Sequence, residues 1–270
     1  MNEISVKAPA KLNLHLQVIA KRDDGFHDLQ TLFTYINLYD QLTFKTSEEK
    51  ITLRELEPIN DNLVLKAADL LRKRTGYNKG AEISLQKRIP LQKGLGGGSS
   101  DAAATLIALN KLWNLGLTQT ELLDMSLELG SDVPFFVFGR SAWAEGRGEI
   151  LSKVDFNEQW HLLCTPKTQI STKKAFESLS SNFSKPYTYE EYYSKGGFNS
   201  FEKWARDSYE EIDEIFVKLN NIGKPRLSGT GSSIFVSFSD VERAKSAKQE
   251  FPHCILVKSL EHSPLTQIIE

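Results

Sequence analysis

Apolar and polar residues alternate along the start of the chain, over positions 4–19. A period of two puts the apolar side chains on one face of an extended strand and the polar side chains on the other. Lys11 and Asn13 belong to the polar set, so they point the same way. A charged turn around Gly25 is followed by a run over positions 31–38 that is rich in aromatic and β-branched residues. Together these segments predict a β-hairpin.

The middle of the chain predicts helices joined by short strands. Apolar residues at helical spacing predict a helix over positions 62–74, and Gly76 follows where that helix should end. A strand over 83–89 ends at Pro90, and a glycine-rich run then leads into a helix over 102–115. The remaining elements predicted here are a helix over 118–129, a short apolar element over 133–138 and a strand over 141–145.

The character of the chain changes at about Val154. A polar, basic loop covers positions 167–174, and positions 178–197 are rich in Ser, Tyr and Gly without clear periodicity. The last elements predicted are a long helix over 201–219, a strand over 234–238 and a helix over 241–250. Strands and helices mix without strict βαβ repetition, so we expect an α+β fold with two domains, 1–154 and 155–270.

Composition and charge narrow the class of protein. With 270 residues, 40% of them hydrophobic and 25% charged, the chain has the balance of an ordinary globular protein, which excludes disordered and fibrous classes. A formal net charge of -2 gives no basic field for nucleic acid or for an anionic membrane surface. No apolar run approaches the roughly 20 residues that span a bilayer. We therefore expect a small-molecule partner, no nucleic acid and no membrane.

The two cysteines, Cys164 and Cys254, both lie in apolar, strand-like surroundings. A free cysteine in such a place usually behaves as a small buried hydrophobe. Free thiols fit a reducing compartment, so we expect a cytoplasmic protein.

A glycine-rich run between a predicted strand and a predicted helix is the strongest chemical signal. Backbone without side chains can approach phosphate oxygens closely, and the first turn of a helix adds free N–H groups and the positive end of its dipole. A flexible linker is the alternative, and the position between strand and helix argues against it. Asp101 at the end of the run could cap the helix or help to hold Mg²⁺. The seven residues of the predicted phosphate loop are Gly94, Leu95, Gly96, Gly97, Gly98, Ser99 and Ser100.

Better-known nucleotide motifs do not fit this run. Ser99 stands where the dinucleotide fingerprint needs its third glycine. The Walker A pattern fails as well, since Gly223-Lys224 is followed by Pro225. Protein-kinase catalytic-loop motifs are also absent from the sequence. The run therefore predicts a less common type of triphosphate-binding loop, and hence a small-molecule kinase.

Together with Pro90, this run resembles the nucleotide loop of the galactokinase, homoserine kinase, mevalonate kinase and phosphomevalonate kinase (GHMP) superfamily. The resemblance extends in the right order over most of the chain. Two positions depart from the pattern: Phe26 stands where Tyr is common, and Gln92-Lys93 where Met-Gly or Met-Ala is common. The further motifs are Ala8-Pro9-Ala10-Lys11-Leu12-Asn13-Leu14, Asp24-Gly25-Phe26-His27, Leu129-Gly130-Ser131-Asp132-Val133-Pro134 and Ser228-Gly229-Thr230-Gly231.

The resemblance implies a fold and a catalytic pair. The fold would be the two-domain GHMP kinase fold, with an N-terminal nucleotide-binding domain of ribosomal-protein-S5-like topology and a C-terminal α/β substrate domain. Asp132 would act as general base on an alcohol, and Lys11 would orient it and offset negative charge. Without the motif, Asp132 reads equally well as a helix N-cap and Lys11 as a solvated strand lysine.

The resemblance also implies the ligands and the binding residues. The phosphoryl donor would be ATP with Mg²⁺, and the acceptor a cytidine diphosphate-linked methylerythritol, bound by a monomer or a homodimer. The phosphate loop, Lys93 and Asn62 would bind ATP. The acceptor would be bound by Asn13, Phe26, His27, Phe198, Gly229 and Thr230, with Phe26 and Phe198 as stacking rings around the base. Gly229 and Thr230 are equally consistent with a tight turn before the next strand.

Three other functions compete with this one. One is another small-alcohol kinase of the superfamily, of the homoserine or mevalonate type, but its substrate would offer no nucleobase for Phe26 and His27 to stack on. A non-catalytic ligand-binding relative would not need both Lys11 and Asp132. A dinucleotide-dependent oxidoreductase is disfavoured because the fingerprint fails at Ser99.

Overall fold

The structure is a computed structural model, and it describes residues 2–155, 157–179, 183 and 185–269. Its strands are β1 (Glu3–Lys21), β2 (His27–Ser47), β3 (Ile51–Glu55), β4 (Gly80–Gln86), β5 (Ala142–Glu145), β6 (Ile150–Lys153), β7 (Trp160–Cys164), β8 (Pro225–Leu227), β9 (Ile234–Phe238) and β10 (Ile255–Leu260). Its helices are α1 (Leu63–Thr75), α2 (Gly97–Leu112), α3 (Gln119–Ser126), α4 (Val133–Phe138), α5 (Thr172–Glu177), α6 (Tyr189–Lys195), α7 (Glu202–Ser208), α8 (Glu210–Leu219), α9 (Val241–Glu250) and α10 (Thr266–Ile269).

Within the described residues, the strands form one ten-stranded sheet. Its main path runs β3-β4-β2-β10-β7-β9-β8, while β1 and β5 also pair with β2, and β6 pairs with β5. Among the paired strands of the described residues, β3 and β4 are parallel, and the other pairings are antiparallel. Because β10 pairs with both β2 and β7, the sheet continues from the first half of the chain into the second.

The predicted hairpin is confirmed, and it is longer than its pattern indicated. β1 and β2 pair antiparallel from Glu3 opposite Lys45 to Lys21 opposite His27. Every residue from Ala8 to Val18 is buried, on both faces of the strand. The polar face of β1 is therefore covered by the rest of the protein rather than by water.

The predicted helix over positions 62–74 is confirmed by α1. The Asn62 side chain accepts a hydrogen bond from the Val64 N–H, and Gly76 ends the helix in the left-handed region at a φ of 68°. By contrast, α2 begins at Gly97, five residues before the predicted start. Glycine is a poor helix former, but a Cβ at Gly97 would lie 3.0 Å from Ile89 Cγ2, so the close approach of Ile89 favours glycine at this position.

The single long helix predicted over positions 201–219 is wrong. Tyr209 has extended backbone, with φ -135° and ψ 106°, and it separates α7 from α8. The break lets the Tyr209 ring pack edge-on against Trp204, with ring centroids 5.7 Å apart. Periodicity alone could not reveal it, because the buried residues Ala205, Ile212 and Phe216 keep a helical spacing across the break.

The expectation that both cysteines are free is also wrong. Cys164 ends β7 and Cys254 immediately precedes β10, and the pairing of Leu163 with Ile255 places the two cysteines opposite each other. They form a disulfide, with a Cα–Cα distance of 4.4 Å. Their burial was predicted correctly, with 5% and 7% exposure. The pairing depends on strand register, which the sequence does not display.

The hydrophobic core has three parts. One surrounds α2 in the first half of the chain, a second surrounds α8 and β9 in the second half, and a third lies between them around β1. A division into domains at residues 154 and 155 stays a prediction. Of the helices that the structure describes, none is long and apolar enough to cross a membrane.

Candidate active site

A cavity of about 1210 Å³ opens where the two halves of the chain meet. Six segments of its wall are the buried part of β1, the mouth of the hairpin, the phosphate loop, the residues just before α4, and two segments of the second half of the chain. The two loops of the second half cover 169–173 and 229–231. The cavity therefore collects residues that are up to about 220 positions apart in the sequence.

The phosphate loop is pressed between β1 and the turn at 228–231. A Cβ on Gly94 would lie 2.1 Å from the Ser228 carbonyl oxygen, and one on Gly96 would lie 2.8 Å from a ring carbon of Phe136. The Lys11 N–H donates to the Leu95 carbonyl at 3.0 Å. Glycine is thus required here by packing within the protein as well as by any approach to phosphate.

The residues of this loop divide between the cavity and the core. Gly94, Gly96 and Ser99 line the cavity, whereas Leu95 and Ser100 are buried at 1% and 0% exposure. Gly97 and Gly98 form the first turn of α2, whose N–H groups lack acceptors within their own helix. This is the end of the helix that favours negative charge.

Lys11 and Asp132 meet inside the cavity, although they lie 121 positions apart. Their Nζ and Oδ2 atoms are 3.4 Å apart, and the side chains are 4% and 35% exposed. Asp132 does stand at the N-cap position of α4, but its side chain makes no capping hydrogen bond. Lys11 is not a solvated strand lysine either. Both side chains are therefore directed to each other and to the cavity.

A hydrogen-bonded chain holds the lysine in place. Lys11 Nζ donates to Asn13 Oδ1 at 2.5 Å, and Asn13 Nδ2 donates to Thr31 Oγ1 at 2.8 Å. Thr31 in turn donates to the His15 carbonyl at 2.6 Å. Because Asn13 is only 3% exposed and is bonded at both ends of its amide, it orients Lys11 and has little freedom of its own.

Asp101, the uncertain position at the end of the phosphate loop, lies in a buried ion cluster. Its Oδ2 accepts from Lys87 Nζ at 2.7 Å, and the same ammonium donates to Asp40 Oδ2 at 2.5 Å. Burial raises the pKa of Asp101 to about 8, and Lys87 opposes that rise. Gly96, not Asp101, stands at the N-cap of α2. The predicted role of Asp101 as a cap is therefore wrong, and its role as a Mg²⁺ ligand stays a prediction.

The mouth of the hairpin provides aromatic walls. His27 lies beside Phe176, with ring centroids 5.0 Å apart, and Arg147 covers Phe26 with its guanidinium carbon 4.4 Å from the ring centroid. All four residues line the cavity. Partial burial, and to a lesser extent the charge of Lys21, lowers the pKa of His27, so its ring is neutral at neutral pH.

Phe198, the ring expected opposite Phe26, does not line this cavity. It packs edge-on against His15 and Tyr187, with centroid distances of 4.9 and 5.3 Å. The carbonyl of Phe198 accepts from the Leu16 N–H, which fixes the segment along β1. Phe176, near the end of α5, lies beside His27, and a stacking role for Phe198 stays a prediction.

Two residues expected to bind ATP are engaged in contacts within the protein. Asn62 caps α1 and also donates to Glu55 Oε2 at 2.7 Å. Lys93 donates to the carbonyls of Lys167 and Thr168. Neither is among the cavity-lining residues of the described chain. Their contact with ATP stays a prediction.

The turn at positions 228–231 serves as structure and as cavity wall together. Ser228 Oγ donates to the Gly94 carbonyl at 2.9 Å, so the turn is bonded to the phosphate loop. Gly229 and Thr230 line the cavity, and the Thr230 and Thr172 hydroxyls are 3.3 Å apart. Both alternatives for this turn, tight turn and substrate wall, are compatible with its position.

Phe176, Arg147 and Lys87 were missed by sequence reasoning. Phe176 follows a basic loop in which no periodicity pointed to the cavity, and Arg147 lies in a turn between β5 and β6. Lys87 alternates as an ordinary strand residue before Pro90. A sequence signal was available for Lys87 alone, because it lies three residues before Pro90, with which the phosphate-loop motif begins.

The sequence matches a known domain and several proteins of known name. A profile of the GHMP kinases N terminal domain matches residues 62–140. A protein of Nitrosococcus oceani named 4-diphosphocytidyl-2-C-methyl-D-erythritol kinase is 40% identical, over 97% of both chains. One of the same name from Acinetobacter baumannii is 41% identical, also over 97% of both chains.

Solved structures show the same likeness. A crystal structure of 4-(cytidine 5'-diphospho)-2C-methyl-D-erythritol kinase superposes with a TM-score of 0.84 at 30% identity, covering 95% of this chain and 99% of that one. A homoserine kinase of Cytophaga hutchinsonii superposes with a TM-score of 0.70 at 19% identity, covering 97% and 96%. The second likeness, at that identity, concerns the fold alone, and it agrees with the predicted GHMP kinase fold.

Proposed function

The chain belongs to the 4-diphosphocytidyl-2-C-methyl-D-erythritol kinases, and we propose that it transfers the γ-phosphate of ATP to the 2-hydroxyl of that acceptor. The products are the 2-phosphate and ADP, in the non-mevalonate (methylerythritol phosphate) route to isoprenoids. The observation that carries the proposal is the Lys11–Asp132 pair, held in one cavity with the phosphate loop and the aromatic hairpin mouth. A kinase of this kind needs all three: a general base, a triphosphate site and a wall that contacts a nucleobase.

In the proposed reaction, Asp132 accepts the proton of the 2-hydroxyl as the oxygen attacks phosphorus. The O–H bond breaks and an O–P bond forms, while the bond from phosphorus to the leaving oxygen of ADP breaks. Asp132 suits this role because its side chain is partly exposed to the cavity and makes no helix cap. No covalent enzyme intermediate is needed.

Lys11 supplies positive charge next to the base. Its ammonium is buried, bonded to Asn13 and paired with Asp132, so its position is fixed before substrate arrives. A fixed charge in a site of low dielectric stabilises developing negative charge without reorganisation during the reaction. We assign Lys11 the roles of orienting Asp132 and offsetting charge on the transferring group.

We propose that ATP binds with its phosphates at the N-terminus of α2 and that Mg²⁺ enters with it. The described residues contain no cluster of three or more metal-ligating side chains, which fits an ion carried by the phosphates. Mg²⁺ would neutralise charge on the phosphates when bound. Among the residues that line the cavity, we assign Ser99 and Asp132 as the side chains that would hold such an ion. Asp101 fits poorly, because its carboxylate is buried and paired with Lys87.

The cytosine end of the acceptor is assigned to the hairpin mouth. Phe26, His27 and Phe176 present aromatic surface to the cavity, and the neutral ring of His27 can donate and accept one hydrogen bond each. This apolar, aromatic wall favours a substrate that carries a nucleobase. A homoserine or mevalonate acceptor would leave it without a partner.

Replacing His27 by Ala is expected to raise KM for the cytidine substrate by about 5- to 100-fold, because a base contact is worth about 1 to 3 kcal/mol. KM for ATP should change less than about twofold, since the His27 ring lies at the hairpin mouth and ATP is assigned to the phosphate loop. Steady-state kinetics with each substrate varied in turn measures both values.

The exposed histidine His253 provides a matched control, and its replacement by Ala should leave both KM values unchanged. A rise of KM for ATP in parallel with that for the acceptor in the His27→Ala variant would place His27 outside the base site.

A coupled assay of ADP release tests the proposed function directly. The purified chain receives ATP, Mg²⁺ and one acceptor at a time: the diphosphocytidyl substrate, homoserine, mevalonate or galactose. We expect turnover with the first and none above background with the others. Faster turnover with one of the other three would reassign the chain within the superfamily, and no turnover with any would indicate a non-catalytic relative.

We place this activity in the cytoplasm because it consumes ATP, although the disulfide removes the support that free thiols gave to this location. A monomer or a homodimer fits the proposal equally, because every residue used in it lies in one chain.

A further inference from the structure

We propose that Lys93 is a positioning residue for the acceptor, because its ammonium fixes residues 167–168, and through them the cavity wall at 169–173, to the phosphate loop. This inference rests on the proposed function, since it names an acceptor site. It concerns a residue expected from the sequence to contact ATP, and the contacts of that residue point elsewhere.

Lys93 connects two loops that come from opposite halves of the chain. Its Nζ donates to the Lys167 carbonyl at 3.1 Å and to the Thr168 carbonyl at 2.7 Å. Its own carbonyl accepts from the Ser233 N–H at 3.2 Å. The residue is only 9% exposed, so these bonds are largely shielded from competing water.

A carboxylate holds the same two peptide groups through their N–H atoms. Glu211, on α8, accepts from the Lys167 N–H at 3.0 Å and from the Thr168 N–H and hydroxyl at 2.8 and 2.5 Å. The carbonyls of the two residues therefore bond to a cation and their N–H groups to an anion. Hydrogen bonds to charged groups are about twice as strong as those between neutral groups. This arrangement strongly restrains the chain at 167–168.

The restrained segment leads directly into the cavity wall. Gln169, Ile170, Ser171, Thr172 and Lys173 all line the cavity. Two more bonds tie this region to the Gly-rich turn: Ser232 Oγ donates to the Thr168 carbonyl at 2.5 Å, and the hydroxyls of Thr172 and Thr230 are 3.3 Å apart. The phosphate loop, the turn and the wall are thus joined around Thr168.

The consequence for catalysis concerns geometry. Phosphoryl transfer requires the acceptor oxygen and the γ-phosphate to be aligned, and small displacements of either reduce the rate strongly. Lys93 links the loop assigned to the donor with the wall assigned to the acceptor. Loss of its ammonium leaves two carbonyl oxygens without this donor, and the wall gains freedom relative to the loop.

The Lys93→Met variant tests the proposal, with Lys248→Met as the matched control. Lys248 also donates to two backbone carbonyls, those of Pro252 and Cys254, each at 2.7 Å, and it does not line the cavity. We expect Lys93→Met to lower kcat/KM for the acceptor by about 10-fold or more, through a lower kcat as well as a higher KM, with KM for ATP changed less than about twofold. Lys248→Met should leave all three values near those of the unchanged protein.

Hydrogen exchange of the 167–173 segment gives a second readout that needs no substrate. Exchange there should be faster in Lys93→Met than in the unchanged protein or in Lys248→Met. If Lys93→Met does not fold, Glu211→Gln takes its place. Glu211→Gln weakens the hydrogen bonds to the N–H groups of Lys167 and Thr168, so we expect it to cause the same changes in kinetics and exchange.

Three results would overturn the inference: acceptor kinetics like those of Lys248→Met, a rise of KM for ATP instead of KM for the acceptor, or unchanged exchange of 167–173. The second would make Lys93 a nucleotide ligand. Absence of turnover in the unchanged protein would instead contradict the proposed function, and the exchange experiment would still decide whether Lys93 restrains the wall.

Discussion

Replacing Asp132 by Asn is expected to lower kcat by about 10² to 10⁴, the usual loss when a general base is removed. The amide keeps the shape of the carboxylate but cannot take the proton of the 2-hydroxyl at neutral pH. Stability should change little, because Asp132 is partly exposed and makes no helix-capping bond. Single-turnover measurements at saturating ATP and acceptor would separate the chemical step from binding.

Asp213→Asn is the control for this experiment. Asp213 also pairs with a cation, accepting from Arg206 at 2.7 Å, and its side chain is 46% exposed, but it does not line the cavity. Its replacement should leave kcat unchanged. A kcat of Asp132→Asn within about threefold of the unchanged protein would remove Asp132 from the role of base.

Replacing Lys11 by Met is expected to lower kcat by about 10² to 10³, comparable to the loss of one oriented donor that stabilises transition-state charge. Met fills nearly the same volume along the buried stem, but it cannot donate to Asn13 or balance Asp132. KM for the acceptor should change less than kcat, because the charge is needed most as negative charge develops. Circular dichroism and a thermal melt would establish that the variant is folded.

Lys7→Met is the matched control, four residues earlier on the same strand. Lys7 is exposed and lies over the Tyr39 ring, with its Nζ 5.5 Å from the centroid. Normal kinetics in Lys7→Met together with normal kinetics in Lys11→Met would show that the buried ammonium has no catalytic role, whatever its distance from Asp132.

The pair Lys11–Asp132 depends on support from several directions. Lys11 is fixed by Asn13, which is fixed by Thr31 on β2, while its own N–H is bonded to the phosphate loop. The same loop is bonded to the turn at 228–231 and, through Lys93, to residues 167–168, which precede the acceptor wall. The ATP site, the general base Asp132 and the acceptor wall are therefore connected by one network of hydrogen bonds. Changes in any of these segments are expected to act on kcat as well as on binding.

The sequence by itself determined the elements whose signals are local. The hairpin followed from alternation, α1 from apolar residues at helical spacing and from Gly76, and the phosphate loop from glycines set between a strand and a helix. Side-chain period, capping and glycine conformation act over a few residues, so they can be read from a single chain. The motifs around Lys11 and Asp132 gave the family, which the relatives confirm.

Only the tertiary structure decided the features that depend on register, on burial and on contacts between distant segments. It paired Cys164 with Cys254 through the register of β7 and β10, and it buried Asp101 against Lys87. It also brought Phe176, rather than Phe198, to His27. The physical reason is that such contacts join residues far apart in the chain, and their free energy depends on the packing of the whole molecule rather than on local preference.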